Sequence, residues 1–509
     1  MIARPLPLSH QRTVAIVGAG PGGLAAAMLL AAAGMRVTVF ERLAAVGGRT
    51  RVIEADGFRF DVGATFFLYP EILRDIFARC GLDMDDFVTL ARVDPQYNLA
   101  FEGGPEVRPT YDIDRLEAEI AKLDVRDARN VRRFLERGRR KLNAFRPVLQ
   151  RPFSRLSDYV SPSLLRSLRL LGPLHSVDDD LGRLFRDPRT RLAFSFQTKY
   201  LGMSPFRCPS LFTILAFLEY EFGIWHPLGG CGRLSAAMAE AAQSLGVEIR
   251  LNEPVEEIAF KGRQAQGVVT RSGMHEADVV VVNADFAGSI QRLIPNRLRR
   301  RWSDERIEKA RLSCSTFMLY LGIEGRYDAL DHHTIFLASE YRRNIQEIEE
   351  GRRPPGEPSI YVQNPSRTDP AFGDGAGSSL YVLVPVGHCG AIDWAKERDG
   401  YRDLVIRRLE ALGLNNLRAR IRYEKVITPD DWATDMAIHR GATFNLAHSL
   451  DQLLYFRPHN RFDDVESVYL VGGGTHPGSG LPVIYEGARI TADLILQDLS
   501  LKAGIPALG

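Results

Sequence analysis

"TVAIVGAGPGGLAAAMLLAAAGMRVTVFE", Thr13 to Glu41, reads as a buried strand (Val14 to Val17), a tight turn, an Ala/Leu-rich helix, a turn at Gly34 and a second strand ending on Glu41. That is a complete βαβ unit, and its first turn carries G-x-G-x-x-G as Gly18, Gly20 and Gly23. Gly18 permits the sharp turn, Gly20 lets the backbone approach a pyrophosphate, and Gly23 lets the helix pack closely on the strand. The helix N-terminus offers unpaired N–H groups and a positive dipole end to phosphates. Glu41, at the end of the second strand, can accept hydrogen bonds from an adenosine ribose. A glycine pattern alone is weak; strand, helix, second strand and terminal acid together predict a doubly wound dinucleotide site, with NAD and FAD both open.

The next segment separates them. "ERLAAVGGRTRVIEADGFRFDVGATFF" places Gly47, Gly48, Arg49 and Thr50 just after Glu41, then a short hairpin and Asp61, Val62 and Gly63. An arginine on a Gly-Gly turn can reach the pyrophosphate from the side opposite the first loop with charge-assisted hydrogen bonds. A simple NAD enzyme has no need of such an arm, so the expected cofactor is FAD.

A second glycine-rich strand-turn-helix, "VYLVGGGTHPGSGLPVIYEGAR" (Val468 to Arg489), lies near the C-terminus. The sequence as a whole resembles the bacterial carotenoid desaturase family of FAD-dependent polyene oxidoreductases, which belongs with the amine-oxidase-like flavoproteins. The matching stretches run through nearly the whole chain: "VAIVGAGPGGLAAA", "GGRT", "FDVGATFF", "WHPLGGCGRLSAAMAEAA", "LNEPVEEI", "VVVNAD", "DHHTIFLASEYR", "YVLVPVGH", "ITPDDWATDM", "GATFNLAHSLDQLLYFRP" and "YLVGGGTHPGSGLP". The resemblance implies that the C-terminal stretch returns to the first domain and closes over the flavin. Pro482 near the first turn of that helix loses no needed N–H, and the dipole end would stabilise negative charge on a reduced ring.

The implied fold is α/β: a doubly wound, Rossmann-like FAD domain of the glutathione-reductase type with an inserted α+β substrate domain. The FAD domain is expected from residues 1–110, 225–295 and 425–509, and the substrate domain from 111–224 and 296–424. FAD contacts are expected at Gly18, Ala19, Gly20, Pro21, Gly22 and Gly23, at Glu41, Arg42, Gly48, Arg49 and Thr50, and at Asp61 and Gly63. Further contacts are expected at Val255 and Asn283, and in the C-terminal return at Gly473, Gly474, Thr475, Gly480, Leu481, Pro482 and Val483. The resemblance implies a slight lean toward a thirty-carbon chain, because that branch of the family more often carries branched residues after this proline, as Val483 and Ile484 do here, where forty-carbon members tend to carry glycine.

The bulk numbers agree with an ordinary globular enzyme. The 509 residues are 45% hydrophobic and 25% charged, with a formal net charge of +2, long enough for two or three domains and too balanced to argue for nucleic acid. Five scattered cysteines without a C-x-x-C pair point to a reduced protein with neither a disulfide framework nor a zinc site. No secretory signal and no spanning segment are read, so the expected location is cytoplasmic, peripheral on the inner face of the membrane. The segment from Arg126 to Arg155 interleaves basic residues with Val131, Phe134, Leu135, Leu142, Phe145 and Val148, and "SPSLLRSLRLLG" follows. Such a stripe suits a helix lying in an anionic interface.

The turn at Gly229 to Gly232 is not read as a second nucleotide loop, because "EYEFGIWHPLGG" looks irregular; without an NADPH domain, electrons pass to a diffusible acceptor, oxygen or a quinone. The implied reaction removes hydrogen from adjacent carbons of a long-chain isoprenoid or carotenoid precursor: hydride to the flavin, a proton to a base. The candidate acid/base residues are His476 and Glu486. Adjacent His332 and His333 are expected on opposite faces of a strand, with no metal role. The alternatives are an oxygenase acting on terminal methyl groups, a polyene isomerase or saturase, a non-catalytic flavoprotein that binds isoprenoids and scaffolds a pathway, and a plain NAD dehydrogenase.

Overall fold

The computed structural model describes residues 11–160, 164, 170–172, 174–373 and 377–502. Most of "SPSLLRSLRLLG" lies outside them.

The strand Thr13–Val17 is central in a five-stranded parallel sheet ordered Glu248–Arg250, Arg36–Phe40, Thr13–Val17, Val279–Val282, Val468–Leu470. Its near-continuous apolar run follows from burial on both faces. Val14 and Ile16 face a layer formed by the helices Pro21–Ala32, Cys231–Ser244 and Leu481–Lys502. Ala15 and Val17 face a three-stranded antiparallel sheet (Val255–Lys261, Gln264–Thr270, Gly273–Glu276) and the helix Phe286–Leu293. The sheet is thus assembled from distant pieces of chain, and the C-terminal strand enters it beside Val279–Val282.

A seven-stranded, mainly antiparallel sheet forms the second region, ordered Ile421–Ile427, Ser315–Glu324, Gly377–Val386, Ile360–Gln363, His333–Leu337, Asn98–Phe101, Glu106–Val107. Residues 98–107 therefore belong to this sheet, although the sequence groups them with the first domain; a strand of four residues gives no local sign of its partner. One face of the sheet packs on the helix Trp394–Ala411. The other holds Met318, Tyr320 and Tyr381 against Phe58, Phe60 and Trp432.

A helical region caps the edge. Its longest helix, Val131–Leu149, buries Val131, Phe134, Leu135, Leu142, Phe145 and Val148 in the region's core. Gly138 lies against Phe217, where an added Cβ would come within 2.5 Å of the ring. The stripe expected to meet a membrane is therefore covered by protein. Its cations are also largely engaged: Lys141 Nζ donates to Asp180 at 2.6 Å, Arg139 pairs with Glu221 at 2.7 Å, and Arg132 pairs with Glu117 at 3.0 Å. The apolar periodicity marks one face of a helix, read from the sequence as a face for a membrane; what covers that face is a long-range fact that periodicity does not carry.

The turn at Gly229 to Gly232 is preceded by a short, largely buried strand, Ile224–Pro227, contrary to the irregular segment expected. That strand pairs antiparallel with Phe67–Leu68 and Leu90–Val93, outside the parallel sheet. The helix that follows does feed Glu248–Arg250 into the parallel sheet.

Candidate active site

The first glycine turn is shaped by what lies beneath it. Gly18 has φ +99°, and an added Cβ there would sit 2.5 Å from the Asn283 carbonyl oxygen. A Cβ at Gly23 would sit 2.2 Å from the Gly18 carbonyl oxygen, so the third glycine is required for helix and turn to close on each other. Asn283 braces the turn from below, its Nδ2 donating to Gly18 O at 3.0 Å. Glu41 is fixed on the other side: Oε2 accepts from Ala19 N at 2.8 Å and Oε1 from Leu43 N at 2.9 Å. Glu41 lines the cavity described below. Gly47 N donates to Ala19 O at 2.8 Å, which locks the second glycine turn onto the first.

Arg49 emerges from that turn into a buried setting. Its guanidinium donates to the Thr443 carbonyl, and Asn445, with its amide oriented to satisfy both neighbours, accepts from Arg49 at 3.2 Å and donates to Asp285 Oδ1 at 2.7 Å. Asp285 Oδ2 accepts from Gly288 N and His439 N, at 3.2 and 3.1 Å. Burial pulls the Arg49 pKa down and pushes the Asp285 carboxyl up, each opposed by the charge of the other.

The C-terminal return forms the facing wall. Gly472 has φ +111° and Gly480 φ +110°, conformations open to glycine at little cost. Arg457, fully buried, holds the carbonyls of this turn: Nη2 donates to Gly473 O at 2.6 Å and Nε to Thr475 O at 3.2 Å. The helix then starts at Leu481, with its first-turn backbone against the cavity.

These walls enclose one end of a single cavity of about 770 Å³. From the turn at Gly48 and Arg49 it continues past Gly63, Ala64 and Thr65 into an apolar limb lined by Phe66, Phe196, Leu201, Leu215, Leu218, Ile335 and Leu337. In the wall of this cavity the Thr65 hydroxyl lies 2.7 Å from Tyr361 Oη, which lies 2.8 Å from His333 Nδ1. Behind this pair the rings of His333 and His332 are 4.4 Å apart, and those of His332 and His226 are 4.8 Å apart. The adjacent histidines therefore share one buried cluster rather than opposite faces, because His332 precedes the strand that begins at His333. Among the described residues no group of three His, Cys, Asp or Glu side chains is arranged to hold a metal ion.

Comparison with known proteins identifies this arrangement. The model of the flavin-containing amine oxidoreductases matches residues 21–496. A 4,4'-diapophytoene desaturase (4,4'-diapolycopene-forming) of Methylomonas sp. is 41% identical over 96% of both chains. An all-trans-zeta-carotene desaturase of Myxococcus xanthus is 39% identical, over 96% of this chain and 94% of that one. The chain belongs to the flavin-containing amine oxidoreductase family, among the carotenoid desaturases. In fold, the family likeness extends to putrescine oxidase (TM-score 0.61, 17% identity, 96% of this chain and 99% of that one) and to a CLA-producing fatty acid isomerase from P. acnes (TM-score 0.57, 14% identity, 97% and 99%).

FAD is the cofactor of this desaturase-type flavoprotein, and the residues present fit it. The glycine cradle has no room for a Cβ at Gly18 or Gly23, Glu41 keeps free acceptor positions, and Gly22 and Gly23 present first-turn N–H groups that no helix can satisfy internally. Of the residues expected at FAD, Gly18, Gly20, Pro21, Gly22, Glu41, Arg42, Gly48, Arg49, Thr50, Gly63, Val255, Asn283, Gly473, Gly480, Leu481, Pro482 and Val483 line the cavity. Ala19, Gly23, Gly474 and Thr475 sit behind that wall as its support. A Cβ at Gly474, for instance, would lie 2.6 Å from Phe286 Cβ.

Three expectations are corrected. Asp61 does not face the cavity: its carboxylate accepts from Cys231 N and Gly232 N, both at 3.0 Å, and caps the helix Cys231–Ser244. Burial raises its pKa to about 6. His476 lies outside the cavity wall, its Nε2 3.1 Å from the Arg151 carbonyl oxygen, and burial lowers its pKa to about 4. Glu486 faces the opposite side of its helix, accepting from Gln150 Nε2 at 2.9 Å and pairing with Arg489 at 2.7 Å. Position beside a recognised motif fixed the neighbourhood of these residues and left the direction of their side chains undetermined. Sequence reading missed Thr65, Lys199, Tyr361 and Arg457; of these, Thr65, inside "DVGATFF", and Arg457, inside "GATFNLAHSLDQLLYFRP", lay within recognised motifs.

Proposed function

We propose that this protein desaturates a linear isoprenoid, introducing conjugated double bonds by FAD-dependent dehydrogenation, with a thirty-carbon diapophytoene-type chain as substrate. The observation that carries the reading is the continuity of the cavity, which joins the dinucleotide cradle to an apolar limb of the kind an extended hydrocarbon needs. The chain length is supported by the branched pair Val483 and Ile484 and by the substrate of the Methylomonas relative.

Bound in the cradle, FAD supplies the hydride acceptor. The protein has to bind the chain, exclude water and take up the proton lost from the adjacent carbon. Phe66, Phe196, Leu201, Leu215 and Leu218 do the first two. For the third, Tyr361 Oη accepts the substrate proton and passes its own to His333 Nδ1. Burial holds the His333 pKa down at about 3, so the ring is neutral and its lone pair available at any physiological pH. A weak base suffices, because a C–H next to a carbon that has lost hydride is strongly acidic. Thr65 orients the Tyr361 hydroxyl, and Gln363 Nε2 holds the Thr65 carbonyl at 3.1 Å.

The electron acceptor in this reading is oxygen or a quinone. Contact with a lipid surface is supported by exposed Leu156 and Val160, which flank Tyr159; the Tyr159 ring lies 6.3 Å from that of Phe456, itself 39% exposed. No helix among the described residues is long and apolar enough to cross a membrane. The discriminating experiment is turnover of the thirty-carbon substrate in liposomes under isotopically labelled oxygen. A longer conjugated hydrocarbon without label is expected; label in the product would replace this reading with an oxygenase.

A further inference from the structure

The apolar limb contains one charge that a hydrocarbon cannot use. Lys199, on the short helix Phe196–Leu201, lines the cavity among Phe196, Leu201, Leu215, Leu218 and Leu337. Its Nζ is buried and has no hydrogen-bond partner among the described residues. Two titratable groups face it, the ring of Tyr341, whose centroid lies 5.2 Å away, and the thiol of Cys314 in the same cavity wall, whose own pKa burial pushes up to about 12, so neither supplies a counter-charge at neutral pH.

The same region shows how this fold treats a buried lysine that serves structure. Lys141 is 1% exposed and fully satisfied, with Asp180 at 2.6 Å, Thr213 Oγ1 at 2.9 Å and the Ser210 carbonyl oxygen at 3.0 Å. Arg457 is likewise satisfied by backbone carbonyls. Lys199 has no such set, and its environment costs it: burial lowers its pKa to about 8, which still leaves it mostly protonated at neutral pH. A desolvated, unpaired ammonium is an expensive group to keep in an apolar wall. Methionine would line the limb equally well for a hydrocarbon.

We propose that Lys199 is an anchor for a carbonyl or carboxylate oxygen carried on an apolar isoprenoid chain. Donation from Nζ to such an oxygen supplies the partner that the protein withholds, and the cavity wall around it receives the attached chain. Two sources share this chemistry: an oxygenated polyene, and an isoprenoid quinone serving as electron acceptor. The inference rests on the reading of this limb as the place of an apolar chain, and a binding measurement keeps the two apart.

The FAD-loaded protein is titrated with all-trans-retinoic acid, with the hydrocarbon of the same skeleton and with decylubiquinone, following tryptophan quenching, for wild type, Lys199→Met and Lys199→Arg. The anchor predicts that Lys199→Met weakens at least one oxygen-bearing probe by about tenfold or more while hydrocarbon affinity holds within about twofold. Lys199→Arg should retain most of the affinity. For retinoic acid the advantage of wild type should shrink as pH rises above about 8, because the amine loses its charge there. Loss confined to decylubiquinone assigns the site to the electron acceptor; loss confined to retinoic acid assigns it to an oxygenated polyene. Equal affinities of both probes in wild type and Lys199→Met, with hydrocarbon binding intact, overturn the anchor. Failure of wild type to bind the hydrocarbon overturns instead the reading of the limb on which it rests.

Discussion

Replacing Arg457 by methionine tests how the C-terminal return is held in place. The guanidinium is fully buried, and burial lowers its pKa from 12.5 to about 9. At about 1.36 kcal/mol per pH unit this is a cost of roughly 5 kcal/mol to the charged form. Against it stand two good charge-assisted hydrogen bonds, to Gly473 O at 2.6 Å and Thr475 O at 3.2 Å, and a long one to Gln452 O at 3.4 Å. Bonds of this type contribute about 1.5–3 kcal/mol each, so the two good ones together return roughly 3–6 kcal/mol. The two effects nearly cancel, and Arg457→Met is expected to change global stability by less than about 2 kcal/mol. The turn from Gly472 to Gly480 is a different matter. It loses the donor that fixes its carbonyls, and with it the aim of the first-turn N–H groups of the last helix. Misaligning one such contact costs about 1.4 kcal/mol, a factor of ten in affinity. The assay is FAD titration of the apoprotein by flavin fluorescence, paired with urea unfolding of the same sample. A tenfold or larger rise in the FAD Kd with little change in unfolding is the expected result. Unchanged FAD affinity together with a large loss of stability would refute the reasoning and make Arg457 a fold anchor only.

Other expectations follow from single side chains. Tyr361→Phe should bind FAD normally and slow anaerobic flavin reduction by substrate about a hundredfold, the scale of a lost general base, in stopped-flow absorbance; a wild-type rate would remove Tyr361 from the proton route. Glu219 is fully buried without a cation, accepting from Gln197 Nε2 at 2.9 Å and Tyr97 Oη at 3.1 Å, and burial raises its pKa to about 7. A raised acid destabilises the folded state once pH climbs above the unfolded value, fully so beyond the folded one. Glu219→Gln should therefore be more stable than wild type by about 3 kcal/mol at pH 8, a difference that disappears by about pH 4, as urea unfolding at the two pH values would show. His476→Ala should lose stability, because its buried ring bonds the Arg151 carbonyl, yet keep the wild-type rate of flavin reduction in its folded fraction; a slowed rate would return it to the chemistry.

Local rules made the first half of the site legible. The spacing of Gly18, Gly20 and Gly23 before an apolar helix and a strand ending in Glu41 is a short-range pattern, and each residue sits where that pattern requires. The C-terminal return could be placed through resemblance, and Gly472, Gly478 and Gly480 carry the positive φ angles that its turns demand. Side-chain direction was not legible. Asp61 and His476 lie in the right segments and point into the protein, to a helix N-terminus and to the Arg151 carbonyl. The helix Val131–Leu149 shows the same limit: its periodicity marks an apolar face, and what covers that face, such as Phe217 against Gly138, is set by contacts far along the chain. Tyr361 and His333 meet across neighbouring strands, a pairing set by sheet register, and nothing in either local sequence announces it.

The most direct test of the account is a single anaerobic turnover: FAD-loaded protein in liposomes is mixed with the thirty-carbon or the forty-carbon colourless polyene, and the oxidised flavin band is followed together with the product chromatogram. Bleaching of the flavin with stoichiometric appearance of a more conjugated hydrocarbon, faster with the thirty-carbon chain, is the predicted result. An oxidised flavin band that persists with both substrates, under conditions where each binds, would contradict it.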